Sequence, residues 1–263
     1  MLEINAEQTA AELTDFLKAS FQKEGFGDAV IALSGGVDSA VSSILAARAL
    51  GPDHVFPLLL PYGALNKDPE KDALSVVAVA RIQRANISRI YIEQLVDAVC
   101  ALDPSMDKVR RGNIMARVRM TLLFDAAKRR KALVVGTENK SEYLLGYYTR
   151  FGDEASDIEP LRNIYKTQVY QLARHLGVPQ QILLKRPSAG LWEGQTDEGE
   201  FGFSYQDADE VLHQLYDEKN STEQILKSGI NKEALEKISN WMERNSFKHR
   251  VPIIPSTPAG GIG

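Results

Sequence analysis

The chemistry legible in this 263-residue chain begins at Ala32-Leu33-Ser34-Gly35-Gly36-Val37-Asp38-Ser39. The paired glycines let the backbone close on an anion, Ser34 and Ser39 add hydroxyl donors, and Asp38 sets a carboxylate where a phosphate-bound magnesium ion would need one. The uncharged run Ala29–Leu33 before it reads as a strand buried on both faces. After it, Ala40, Val41, Ile44 and Leu45 recur at helical spacing as far as Gly51-Pro52, which stops the helix. A strand, a glycine turn and a helix start make a phosphate cradle, because the first N–H groups of a helix have no intrahelical partner. A plain βα turn capped by Asp38 would not require Gly-Gly, Asp and two serines together. No Gly-Lys-Ser/Thr follows, so the loop is not of the kind that holds phosphates for γ-transfer.

The elements that must carry this loop follow a βα rhythm. An amphipathic helix is expected over 6–24, with Ala10, Leu13, Phe16, Leu17 and Phe21 on one stripe. Strands are expected at Ala29–Leu33, Val55–Leu60, Ile87–Ile92 and Ala132–Val135, with a fifth at Asp157–Leu161. Helices are expected over 69–84, 94–102, 107–130 and 167–176, and again at 207–218, 221–228 and 231–244. The alternation predicts an α/β fold, a doubly wound, five-stranded parallel sheet flanked by helices in one domain over 1–263. Ligands of such sheets bind at the carboxyl ends of the strands, where both the cradle and Gly136-Thr137 fall. The helix over 107–130 is rich in arginine. Arg117 and Arg119 alternate with Met115, Val118, Met120 and Leu122, so at least one of them must approach a buried or subunit surface. Pro187–Gly202 holds four glycines and reads as a functional loop, while the proline-bearing tail 251–263 is expected to be irregular and mobile.

Composition excludes several classes of function. A net charge of −4 argues against nucleic acid as the main partner, and no apolar run approaches the roughly 20 residues of a membrane span. Cys100 is the only cysteine, which rules out an intrachain disulfide and a cysteine-rich zinc site. The start of the chain lacks the basic and apolar regions of a signal peptide, so the reading is cytoplasmic.

Ser34–Ser39 resembles the pyrophosphate-binding loop of the N-type ATP pyrophosphatases, a superfamily of adenine nucleotide alpha hydrolase-like, Rossmann-like fold. Three further stretches are similar to ammonia-dependent NAD synthetases. They are Gly112-Asn113-Ile114-Met115-Ala116-Arg117-Val118-Arg119-Met120, the run from Gly136-Thr137-Glu138-Asn139-Lys140-Ser141-Glu142 through Asp153, and Pro160–Val169 followed by Pro187–Trp192. With Lys248-His249-Arg250 the resemblance covers roughly residues 10–252.

That resemblance implies an ATP-dependent carbon–nitrogen ligase that amidates deamido-NAD with ammonia, giving NAD, AMP and pyrophosphate through an adenylated intermediate. It implies ATP contacts from Ala32 through Ser39, Thr137, Lys166 and Ser188, and Mg²⁺ on Asp38 and Glu142. It implies deamido-NAD contacts from Arg117, Arg150, Asp157, Lys248 and His249, with Asp153 and Lys166 acting at the reacting groups. It also implies a homodimer. Free ammonia is the expected donor, or ammonia from a separate glutaminase, since the chain contains no amidase-like domain. Other readings stay open: a superfamily member that thiolates tRNA or makes GMP or asparagine, or an ATP-binding sensor without chemistry. One cysteine and an acidic balance speak against the tRNA enzymes.

Overall fold

The computed structural model describes residues 2–63 and 67–250, together with Pro252. The tail expected to be mobile therefore lies outside the described residues but for Pro252. Helix α1 (Ala6–Glu24) takes its N-cap from Asn5, whose side chain accepts from Gln8 N, and ends at Gly25 with φ 76°. Strand β1 (Ala29–Ala32), helix α2 (Val37–Leu50), strand β2 (Val55–Leu59), helix α3 (Lys67–Val79) and strand β3 (Ser88–Arg89) follow. Then come α4 (Glu93–Cys100), α5 (Lys108–Arg130), β4 (Leu133–Val134), α6 (Lys140–Leu145) and α7 (Lys166–His175). The remainder is helical: α8 (Gln180–Leu183), α9 (Asp197–Phe201), α10 (Tyr205–Leu212), α11 (Thr222–Lys227) and α12 (Lys232–Asn245).

All strand pairs are parallel, in the order β3-β2-β1-β4. The chain walks outward from β1 to β3 and then returns to the other side of β1 to lay down β4. The strand order therefore reverses between β1 and β4, and a crevice opens above their carboxyl ends. Side chains alternate across the sheet. Ala29 and Ile31 pack with Leu17, Phe21 and Leu45 on one face, while Val30 packs with Leu58, Met115 and Val134 on the other. A third apolar cluster, built from Leu145, Tyr165, Phe201, Tyr205, Leu212 and Ile238, joins α6 to the C-terminal helices.

The sheet has four strands, not five. Asp157–Leu161 makes a single parallel bridge, Val135 to Ile158, instead of a strand. The cause is local. The N–H groups of Asp157 and Ile158 both donate to Val134 O at 3.0 and 3.1 Å, and the Asp157 carboxylate accepts from Val134 N at 2.7 Å. Gly136 N reaches Ile158 O at 2.8 Å, after which Pro160 has no N–H with which to continue a ladder. The third strand is also shorter than expected, although Ile90 N and Ile92 N still donate to Leu59 O and Pro61 O. The loop before Gly202 closes in the short helix α9.

The start of α7 is fixed by a buried carboxylate. Asp209, on α10, accepts from Thr167 N at 2.8 Å and from the Ser141 hydroxyl, while Ser141 Oγ accepts from Lys166 N at 2.8 Å. Helix α7 is thereby tied to α6 and α10 at its first turn. Replacing Asp209 with alanine leaves two buried donors without an acceptor. We expect Asp209→Ala to lose about 2–4 kcal/mol in urea denaturation, with the m-value unchanged.

Candidate active site

The cradle sits at the end of β1, with Gly35 at φ 82°, a conformation that glycine adopts without strain. Its two serines close it. Ser39 Oγ donates to Gly36 O at 3.0 Å, and Ser34 Oγ lies 3.1 Å from Ser39 Oγ and 3.2 Å from Gly36 N. No side chain caps α2, so its first-turn N–H groups are left to an anion. Above the cradle opens a cavity of about 640 Å³.

Lys166 is the cavity's central charge. Only 3% exposed, its Nζ donates to Asp38 Oδ2 at 2.7 Å and to Glu142 Oε1 at 2.9 Å. Burial alone would lower its pKa, but the two carboxylates hold it well above the ordinary lysine value. The Glu142 carboxyl is pushed up to about 8, by burial first and then by the charge of Asp38, against the opposing pull of Lys166. Asn139 orders both acids. Its Nδ2 donates to Asp38 Oδ1 at 2.8 Å, and it forms a capping box with Glu142 at the start of α6. Two carboxylates closing on one ammonium show that this pair can hold a compact cation, and hard oxygen ligands of this kind suit Mg²⁺.

A second wall carries Asp153 and Lys248. Asp153 Oδ1 accepts from Thr149 N at 2.9 Å, and burial raises its carboxyl above the ordinary range. Lys248 Nζ donates to Gly146 O at 2.6 Å and Tyr148 O at 2.9 Å, and desolvation lowers its pKa. The third wall is α9 with the loop before it. There Tyr205 Oη donates to Asp197 Oδ2 at 3.0 Å, and Tyr147 Oη lies 3.1 Å from both Asp197 Oδ1 and Glu200 Oε1.

The family model for NAD synthase matches residues 9–252. The chain belongs to the NAD synthase family. An NH(3)-dependent NAD(+) synthetase of Fusobacterium nucleatum is 42% identical over 253 residues, covering 96% of this chain and 97% of that one. The NH(3)-dependent NAD(+) synthetase of Pyrococcus furiosus is 45% identical over 257 residues, at 97% and 96% coverage. Among solved structures, an NMN synthetase from Francisella tularensis aligns with TM-score 0.84 at 35% identity, covering 97% of this chain and all of that one. An NH3-dependent NAD synthetase from Campylobacter jejuni, in complex with the nitrate ion, aligns with TM-score 0.80 at 31% identity, covering 96% of this chain and all of that one.

Of the residues singled out by the family resemblance, Ala32 through Ser39, Thr137, Glu142, Asp153, Lys166, Ser188 and Lys248 line the one cavity. Arg117, Arg150, Asp157 and His249 do not. Arg117 is exposed, with its Nε donating to Arg150 O at 3.3 Å, and the Arg150 guanidinium stacks 5.0 Å from the Phe247 ring. Asp157 is engaged with the end of β4, as described. His249 packs edge-on against Tyr143 at 4.8 Å. Sequence reasoning gave no role to Asp197 or Asp209, and of Arg119 it said only that it or Arg117 must approach a buried or subunit surface. Asp197 shares its helical turn with Glu198 and Glu200, so its inward position has no local signature. The Asn139-x-x-Glu142 capping pattern was the readable sign that Glu142 is oriented by its own helix.

Behind Thr137 lies a buried acidic pair. Glu159 Oε2 accepts from Glu138 N at 3.1 Å and Glu159 Oε1 accepts from Ser156 Oγ at 2.7 Å, while Arg162 reaches Glu138 Oε2 at 2.9 Å. A Cβ at Gly136 would fall on the Glu159 carboxylate and displace it from its bonds to Glu138 N and Ser156 Oγ. Burial pushes the Glu138 carboxyl up to about 9 despite Arg162, and Glu159 up to about 7. A carboxyl raised in the fold contributes its stability below the unfolded value and loses it as pH climbs through the folded one. For Glu138 that window runs from 4.5 to about 9. We expect wild-type stability to fall by about 1 kcal/mol per pH unit more steeply than that of Glu138→Gln across this window. Thermal melts of both proteins at matched ionic strength check this.

Proposed function

We propose that this protein amidates the nicotinate carboxylate of deamido-NAD with ammonia, at the expense of ATP, yielding NAD, AMP and pyrophosphate. The observation that carries the reading is the buried Asp38–Lys166–Glu142 group beneath an uncapped helix start, in a chain of the NAD synthase family. A carboxylate cannot expel oxide, so it must first be activated. Its oxygen attacks the α-phosphorus of ATP; the new O–P bond forms as the bond to the β-phosphate oxygen breaks, and pyrophosphate leaves. Ammonia then attacks the carbonyl carbon of the adenylate. The C–N bond forms, the C–O bond breaks with its electron pair leaving on AMP, and nitrogen gives up a proton to Asp153 or water.

The chain's residues fit these demands. The N–H groups at the start of α2 and the Ser34 and Ser39 hydroxyls bind the departing pyrophosphate. Lys166 meets phosphate oxygens as a point charge, and Thr137 and Ser188 give hydroxyls to the nucleotide. Asp38 and Glu142 would hold Mg²⁺, which supplies charge neutralisation on the phosphates. Asp153, its proton affinity raised by burial, orients the incoming amine.

Arg117, Arg150, Asp157, Lys248 and His249 serve the dinucleotide in this reading. Arg117 and Arg150 do not line the cavity of their own chain, which supports a homodimer in which one subunit completes its partner's site. Tyr91, Leu95, Val99 and Leu102 support it too, since they leave exposed apolar side chains on α4 and just beyond its two ends, with Leu102 83% exposed. Ammonia is taken free or from a separate glutaminase. The likeness to an NMN synthetase favours a second reading in which a nicotinate mononucleotide replaces the dinucleotide acid.

Incubation with ATP, Mg²⁺, ammonium and each acid in turn separates these readings. We expect NAD and AMP in equal amounts with deamido-NAD; formation of neither product with either acid overturns the ligase reading. Asp38→Asn and Glu142→Gln are each expected to lower kcat by about 10²-fold or more at saturating Mg²⁺. Gel filtration is expected to give a mass near twice the chain's 29.1 kDa. A monomeric mass at assay concentrations would refute the shared site.

A further inference from the structure

Arg119 projects from α5 into the cavity, and its position answers a charge imbalance there. The other deep cations are committed. Lys166 is spent on Asp38 and Glu142 and Lys248 on two carbonyl oxygens, while the more exposed Lys185 pairs with Asp72. Arg119 Nε donates to Leu60 O at 3.1 Å, just past the end of β2, which fixes the plane of the guanidinium. Among the described residues its two Nη groups have no further hydrogen bond and no carboxylate in ion-pair contact, although it lines the cavity. Burial lowers its pKa only to about 10, so it stays charged at neutral pH, and Asp153 is the acid whose field reaches it.

A planar fork with free donors, held at the strand ends near the acid that orients ammonia, suits an anion with two adjacent oxygens. Resting on the ligase reading above, we propose that Arg119 is a substrate-contacting residue that binds the phosphoryl oxygens of the adenylate. The charge on those oxygens grows in both half-reactions: when the carboxylate adds to phosphorus, and when AMP leaves. A fixed guanidinium there lowers both barriers without reorganising. It also leaves the attacking carboxylate unpaired and nucleophilic.

The test uses Arg119→Ala and Arg119→Lys in the full-length protein. Arg119→Ala is expected to lower kcat by about 10²-fold while KM for ATP and for the acid moves less than about fivefold, and added guanidinium ion should restore part of the rate. Arg119→Lys keeps the charge but not the fork, and is expected to recover less than about a tenth of wild-type kcat. Binding of AMP, measured by calorimetry without turnover, should weaken about tenfold in Arg119→Ala. A kcat within about threefold of wild type in either variant, or unchanged AMP affinity, overturns the proposal. If Arg119→Ala fails to fold, Arg119→Lys decides alone by the same kcat and AMP measurements. A wild-type protein that makes no AMP refutes the ligase reading instead, and the AMP affinities still judge Arg119.

Discussion

A lysine ammonium out of water, between two carboxylates, is the interaction on which the rest of this structure leans. Lys166 cannot be buried unpaired, because desolvation would strip its proton. Asp38 and Glu142 meet that requirement, but only if three separate elements deliver their side chains to one point. Asp38 arrives on the first turn of α2, Glu142 on the first turn of α6, and Lys166 on the first turn of α7. Each of these helix starts is held by something else: the glycine turn, the Asn139 capping box, and the Asp209 carboxylate. Removing any of these supports misplaces a charge in a site where an unpaired charge is expensive. The apolar clusters on both faces of the sheet, and the third one under α6 and α10, hold those supports in register.

The chemistry sits where the strand order reverses, and the sheet explains why. β1 and β4 are hydrogen-bonded neighbours, so the turn after one and the turn after the other open into the same crevice. The walls farther out are made differently. Asp153 follows a tight turn after Thr149, Asp197 lies at the end of the glycine-bearing loop, and Arg119 comes from a long helix on the opposite face. The cradle is thus built on strand ends and helix starts, and the outer walls on turns, a loop and one long helix.

What could be read beforehand was local. The cradle announces itself within a few residues, and α1 and α5 follow from their periodicity. The bond from Lys166 to Asp38 spans 128 residues, and nothing within either segment points to the other. Only the family resemblance joined them. Asp209 escaped for the same reason, since it matters because of what faces it across the fold; for Arg119 the helical pattern showed only that it or Arg117 must approach a buried or subunit surface. Asp157–Leu161 was misread in the other direction. Its alternation imitates a strand, but the Asp157 carboxylate takes the donor that a ladder would have used, and Pro160 lacks the next one.

The crossover from β1 to β4 has a mechanical consequence. Leu133 N and Val135 N donate to Asp28 O and Val30 O, so the two strand ends cannot slide past one another without breaking the ladder. The backbones of β1 and β4 are therefore held one interstrand spacing apart, roughly 4.8 Å, a length set by backbone geometry and indifferent to side-chain identity. The sheet works as a fixed jig for the two turns that follow these strands. The turns and loop of the outer walls are mounted on separate supports, so they can be exchanged without recutting it.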